Sequence, residues 1–134
     1  MMEIRLFDLQ RHSDDRGYVE ENFRPEMLPE GHREFGQCFL TTAKPGIIKG
    51  GHRHREKYEL FYLVRGQALV TFQDMVSGQK TEVKLSDSKP QVLLIPPGPM
   101  HWIKNTGEDD FYLMIYTDKK SMLADIDDRD TYRA

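Results

Sequence analysis

The chain is poor in cysteine, with Cys38 alone among 134 residues, so no disulfide can form within it. It has no apolar run of the length that crosses a bilayer. It also lacks a basic excess. Twenty-two acidic residues against 19 basic ones give a formal charge of −3, which argues against nucleic acid as a partner, because phosphate binding shows as positive charge. The start, Met1-Met2-Glu3-Ile4-Arg5, has no apolar stretch of the kind a signal peptide carries. These absences predict a cytoplasmic protein that works without nucleic acid or membrane. Cys38 lies in Phe35-Gly36-Gln37-Cys38-Phe39-Leu40, which reads as strand interior, so a buried small residue is expected there and not a nucleophile.

A chain of this length suits one domain with a real core, and residues 1–134 are read as one unit without repeat, linker or low-complexity tract. Strand signals recur at residues 3–6, 18–23, 35–42, 47–50, 60–64, 68–73, 81–85, 92–95, 101–104 and 111–117. Between them stand turn residues such as Lys44-Pro45-Gly46, Ser77-Gly78, Pro96-Pro97-Gly98 and Thr106-Gly107-Glu108. The one helical stretch expected is 119–126. Many short strands with Gly/Pro turns predict an all-β jelly roll or sandwich.

Two segments carry chemistry. The first is Gly46-x5-His52-x-His54-x4-Glu59-x6-Gly66, and the second is Pro96-x-Gly98-x2-His101-x3-Asn105. Three imidazoles and a carboxylate are donors for a divalent transition metal; zinc is the leading candidate, with Mn, Fe, Ni or Cu as alternatives. His52 and His54 share a strand face by period-two alternation. Glu59 reaches that face only if the chain bends through Arg55-Glu56-Lys57-Tyr58; without a bend, Glu56 has the matching parity. Glu59 is the preferred ligand, because it abuts an apolar strand where a carboxylate needs a partner. Three or four protein ligands leave room for water or substrate, as catalytic metals require. His12 and His32, in polar loop sequence, read as ordinary surface or hydrogen-bonded histidines.

The paired segments resemble the two motifs of the cupin superfamily, which implies a double-stranded β-helix with its barrel over about 35–117. The second motif has Pro90 where that family carries a glycine. Asp14-Asp15-Arg16-Gly17-Tyr18-Val19-Glu20-Glu21-Asn22-Phe23-Arg24 looks like the D-x-R-G-x3-E-x-F segment of dTDP-4-dehydrorhamnose 3,5-epimerases. Pro45-Gly46-Ile47-Ile48-Lys49-Gly50-Gly51-His52-Arg53-His54, with Lys57, Glu59 and Phe61, is more similar to the zinc-binding C-terminal cupin of capsular-polysaccharide nucleotide-sugar reductase/epimerases. The length is also similar to that of dTDP-sugar 3,4-ketoisomerases.

The resemblance implies an epimerase or isomerase acting on a nucleotide-linked 4-keto-6-deoxy sugar in polysaccharide synthesis. Such chemistry needs a base and an electrophile beside the carbonyl oxygen. By resemblance His52 is the base and Tyr116 returns a proton from the other face, while Lys49, Arg24 and Arg16 hold the nucleotide diphosphate. A metal-bound nitrogen has no lone pair for a proton, so His52 is ligand or base but not both through one nitrogen. Two other readings stay open: a non-catalytic sugar- or metal-binding cupin, and a metal-dependent oxygenase. A homodimer is expected, with a second copy covering the edge of the early strand at residues 3–6.

Overall fold

The computed structural model describes residues 3–119 in full and the backbone of 131–133. The described residues contain no α-helix, and hence no helix long and apolar enough to cross a membrane. The strands are β1 (Arg5–Asp8), β2 (His12–Asp14), β3 (Gly17–Val19), β4 (Gln37–Ala43), β5 (Ile48–His54) and β6 (Glu59–Arg65). They continue with β7 (Gln67–Gln73), β8 (Lys80–Ser86), β9 (Gln91–Ile95), β10 (Met100–Asn105), β11 (Phe111–Thr117) and β12 (Thr131–Arg133). One 3-10 turn spans Pro25–Met27.

Two five-stranded antiparallel sheets face each other as a jelly roll, in the orders β1-β9-β6-β11-β4 and β12-β5-β10-β7-β8; β2 and β3 form a separate hairpin. The expected all-β double-stranded β-helix is therefore the observed fold. Phe61, Leu63, Val70, Phe72, Leu93, Ile95, Ile103 and Leu113 fill the space between the sheets. A second cluster covers the outer face of the first sheet, with Met27 and Leu28 packed on Leu60, Tyr62, Val92 and Leu94. That second layer explains why β6 and β9 are apolar at both parities.

Several strands differ from the sequence pattern for physical reasons. β5 runs on through His54, because its backbone pairs with β10 as far as His52 and with β12 from His52 to His54. The expected strand at 18–23 stops at Val19, and its continuation becomes an arm over the outer sheet face. The helix expected at 119–126 lies outside the described residues beyond Lys119. Cys38 is exposed and not buried. It sits on the outer face of β4, opposite Tyr116, at a sheet edge that the arm does not reach.

Asn105 closes the second motif as a buried knot. Its side-chain amide donates to the carbonyls of Ala43 (2.8 Å) and Asp109 (2.9 Å), and its oxygen accepts from the Gly107 amide at 2.9 Å. Alanine there would leave buried groups unpaired, so Asn105→Ala should lower stability by about 1–3 kcal/mol in urea unfolding at unchanged slope.

Candidate metal centre

The four motif residues meet inside the barrel mouth. Each of His52, His54, Glu59 and His101 offers a donor atom, and these atoms lie within 4.8 Å of one another. Two come from β5, one from β10 and one from β6, so both sheets contribute. The chain does bend at 55–58, and Glu59 opens β6 facing inward. Glu56 instead sits at the surface and binds Lys119 at 2.6 Å.

Local backbone features aim these side chains. His52 and His101 are register partners, but Trp102 pairs with Gly50, so Gly51 is an extra residue in β5. Gly50 and Gly51 have φ of +108° and +77°, and a Cβ on Gly50 would stand 2.7 Å from the His101 carbonyl. The bulge puts Lys49, paired with Ile103, on the same face as His52. The Gly98 amide donates to the His54 carbonyl at 2.9 Å, tying the Pro96-Pro97-Gly98 turn to the end of β5 just before His101.

The atomic arrangement fits a metal. Glu59 Oε1 stands 3.0 Å from His54 Nε2 and 3.1 Å from His101 Nε2. Neither approach has hydrogen-bond geometry, and Glu59 Oε1 and both ring nitrogens of His101 lack a hydrogen-bond partner among the described residues. Polar atoms buried this deeply are otherwise paired. Donors on a tetrahedral zinc with bonds of 2.0–2.1 Å stand about 3.3 Å apart, so the lone pairs converge on a shared point instead of on each other. Burial alone would push the Glu59 carboxyl up, but in the metal-free chain the His101 and His54 imidazoles, when they carry a proton toward it, outweigh burial and hold the group well below the usual carboxylate range; a bound cation would replace those protons. The rings of Phe61 and Phe72 pack 6.0 and 6.4 Å from His101 and give the floor an apolar lining. His52 differs from the other three: it is half-buried at the rim, with its ring 4.6 Å from that of His101.

Other residues expected at the site stand elsewhere. Thr117 is the register partner of Glu59, so Tyr116 faces the opposite side of the sheet. Its ring joins the outer cluster, and its hydroxyl accepts from the Gly36 amide and donates to the Glu34 carbonyl. The structure therefore does not bring it together with the histidines, where the resemblance would put it. Arg24 lies on that outer side too, paired with Glu21 and Glu26, and Arg16 pairs with Asp14 at the tip of the β2–β3 hairpin. Of the three cations, only Lys49 shares the inner face with the cluster; its ammonium bridges to Thr41 Oγ1 (2.8 Å) and the Thr42 carbonyl (2.9 Å) on β4. The residue that sequence patterning passed over is His32. Its Nδ1 lies 2.5 Å from the carboxylate of Asp118, an 86-residue separation that no local signal reveals.

With the geometry in hand, known proteins place the chain. Residues 12–132 match the model of the family described as polysaccharide biosynthesis C-terminal domain. Over 126 residues the chain is 32% identical to UDP-2-acetamido-2,6-beta-L-arabino-hexul-4-ose reductase of Pseudomonas aeruginosa, covering 94% of this chain and 31% of that protein. The capsular polysaccharide assembling protein CapF of Staphylococcus aureus superposes with a TM-score of 0.69 at 31% identity, over 93% of this chain and 34% of that one. The chain thus spans about a third of the length of these two relatives. A dTDP sugar isomerase of Desulfovibrio desulfuricans G20 aligns over 100% of this chain and 87% of its own, with a TM-score of 0.83 at 21% identity, a likeness of fold alone. The resemblance to capsular-polysaccharide proteins holds in sequence and fold, and that to the sugar isomerase holds in fold.

Glu59→Gln and His101→Ala should cut the metal content of purified protein from about one ion per chain to near zero by elemental analysis. Uptake should also weaken on acidification, because the ligands bind only when deprotonated. In metal-free protein, the depressed Glu59 contributes stability that is complete above the ordinary carboxylate range and is lost as the pH falls below it. Acid unfolding of Glu59→Gln should lack that component.

Proposed function

The chain belongs to the polysaccharide biosynthesis C-terminal domain family, and on that premise we propose that it is a metal-dependent epimerase or isomerase of a nucleotide-linked 4-keto-6-deoxy sugar. Two things support the reading. The Pseudomonas aeruginosa relative acts, by its name, on a UDP-linked hexul-4-ose, a sugar with a ketone at C4. The observation that carries the chemistry is the half-buried His52 above three buried donors.

In this proposal His54, Glu59 and His101 hold a divalent ion, zinc being the best match to two imidazoles and a carboxylate. When bound, such an ion supplies Lewis-acid polarisation of a carbonyl oxygen, which acidifies the neighbouring C–H. A set of three protein ligands would leave room for that oxygen. His52, at the rim, takes the proton from the carbon beside the ketone on a ring nitrogen. In an isomerisation the same imidazolium delivers the proton to the former carbonyl carbon of the enediol; in an epimerisation a water on the opposite face protonates the original carbon, and the imidazolium releases its proton to solvent. Lys49 faces the same cavity, and its ammonium holds a phosphate oxygen of the nucleotide. Phe61 and Phe72 exclude water from the floor, where charge developing on the substrate is least screened.

Incubation with nucleotide 4-keto sugars in D2O should place deuterium at the carbon next to the ketone, read by mass spectrometry and NMR. His52→Asn should slow the exchange by about 10²–10⁴-fold while keeping the metal. Loss of the metal with His52 would instead make that residue a ligand. Saturable sugar binding without any exchange would reduce the protein to a binding module.

A homodimer is part of the same proposal, since β1 is an edge strand of the first sheet and exposes Leu6. Sedimentation should give a dimer; a concentration-independent monomer would remove this element.

A further inference from the structure

Residues 28–36 form a strap that leaves the outer layer and runs into β4, and it is sewn to the end of β11 at several points. Tyr116 takes the Gly36 amide and reaches the Glu34 carbonyl. Gly36 itself lies so close to Thr117 that a Cβ there would meet the Thr117 carbonyl oxygen at 1.9 Å. Beside these contacts stands the His32–Asp118 pair. Resting on the metal reading above, we infer that His32 and Asp118 are positioning residues that set the Glu59 carboxylate for the ion.

The connection is short. The Asp118 side chain is 2% exposed and uses both oxygens: Oδ2 meets His32 Nδ1 at 2.5 Å, and Oδ1 accepts the Tyr58 amide at 2.8 Å. The Asp118 amide in turn donates to the Tyr58 carbonyl at 3.2 Å. Both sides of the Tyr58 residue are therefore held by Asp118. The next residue is Glu59, the first of β6, directly after the irregular segment at 55–58. Strand ends fray unless tied, and this tie sits one residue from a metal donor. His32 completes it. It gives the second buried carboxylate oxygen a partner, and its ring packs edge-on against the Tyr58 ring at 4.7 Å. Ligating carboxylates and histidines generally depend on such outer contacts for their orientation.

Cobalt(II) titration of the purified chain, followed by ligand-field absorption and competition with a chelator, tests this. His32→Phe keeps a ring on Tyr58 but loses the link to Asp118. Asp118→Asn keeps an acceptor for the Tyr58 amide but loses the charge. Tyr116→Phe cuts the neighbouring tie of the same strap and serves as the control. We expect the first two variants to bind cobalt about tenfold more weakly with an altered spectrum, and Tyr116→Phe to match the unaltered chain in both. Should His32→Phe unfold, Asp118→Asn carries the test. The inference is overturned if both variants stay within about threefold of the unaltered chain with its spectrum. It is equally overturned if Tyr116→Phe shifts affinity and spectrum as much as they do, since the pair then only fastens the strap. An unaltered chain that takes up no cobalt fails the metal reading itself, and the inference with it.

Discussion

A carboxylate in an apolar barrel, facing two imidazole nitrogens at 3.0 and 3.1 Å, is the constraint around which this molecule is arranged. Burying an ionised group without compensation is far too costly for a domain of ordinary stability. Glu59 is tolerated because His54 and His101 converge on the same point, and because a cation there would satisfy all three at once. The rest of the site follows from that need. Gly50 and Gly51 supply the bulge that turns β5 so that His52 and Lys49 share the inner face. The Pro96-Pro97-Gly98 turn fastens to the His54 carbonyl and delivers His101.

The two faces of the first sheet divide the work. Between the sheets, Phe61, Phe72 and their neighbours make an apolar floor under the donors. Outside, the arm from Phe23 to Leu28 covers Leu60, Tyr62 and Tyr116, so these strands need apolar residues at both parities. One residue of phase along β11 decides between the two: Thr117 faces Glu59, whereas Tyr116 faces the arm. A tyrosine that the resemblance places beside the substrate is thus the anchor of the strap at 28–36.

His32 shows the opposite case. In sequence it is one histidine in a polar loop. In the fold it grips a buried aspartate that clamps the backbone just ahead of Glu59. Arg24 and Arg16 moved the other way, from phosphate binders by resemblance to partners of Glu21, Glu26 and Asp14. An arginine flanked by acidic residues within three positions is satisfied locally, and that much was visible along the chain.

Sequence alone determined the all-β class and singled out the cluster of His52, His54 and His101 with Glu59 preferred over Glu56, because each rests on short-range rules: alternation along a strand, turn chemistry, and the cost of an unpaired acid at the edge of an apolar run. It also carried the family resemblance, since the spacings of His52, His54, Glu59, His101 and Asn105 are set by strand and turn lengths. Only the tertiary structure decided which face Tyr116 takes, that Cys38 is left outside, and that His32 meets Asp118. Those outcomes depend on a one-residue bulge, on strand phase relative to a distant partner, and on where the arm happens to end. None of these leaves a periodic mark on the chain, because pairing across 80 or more residues is fixed by packing and not by local preference.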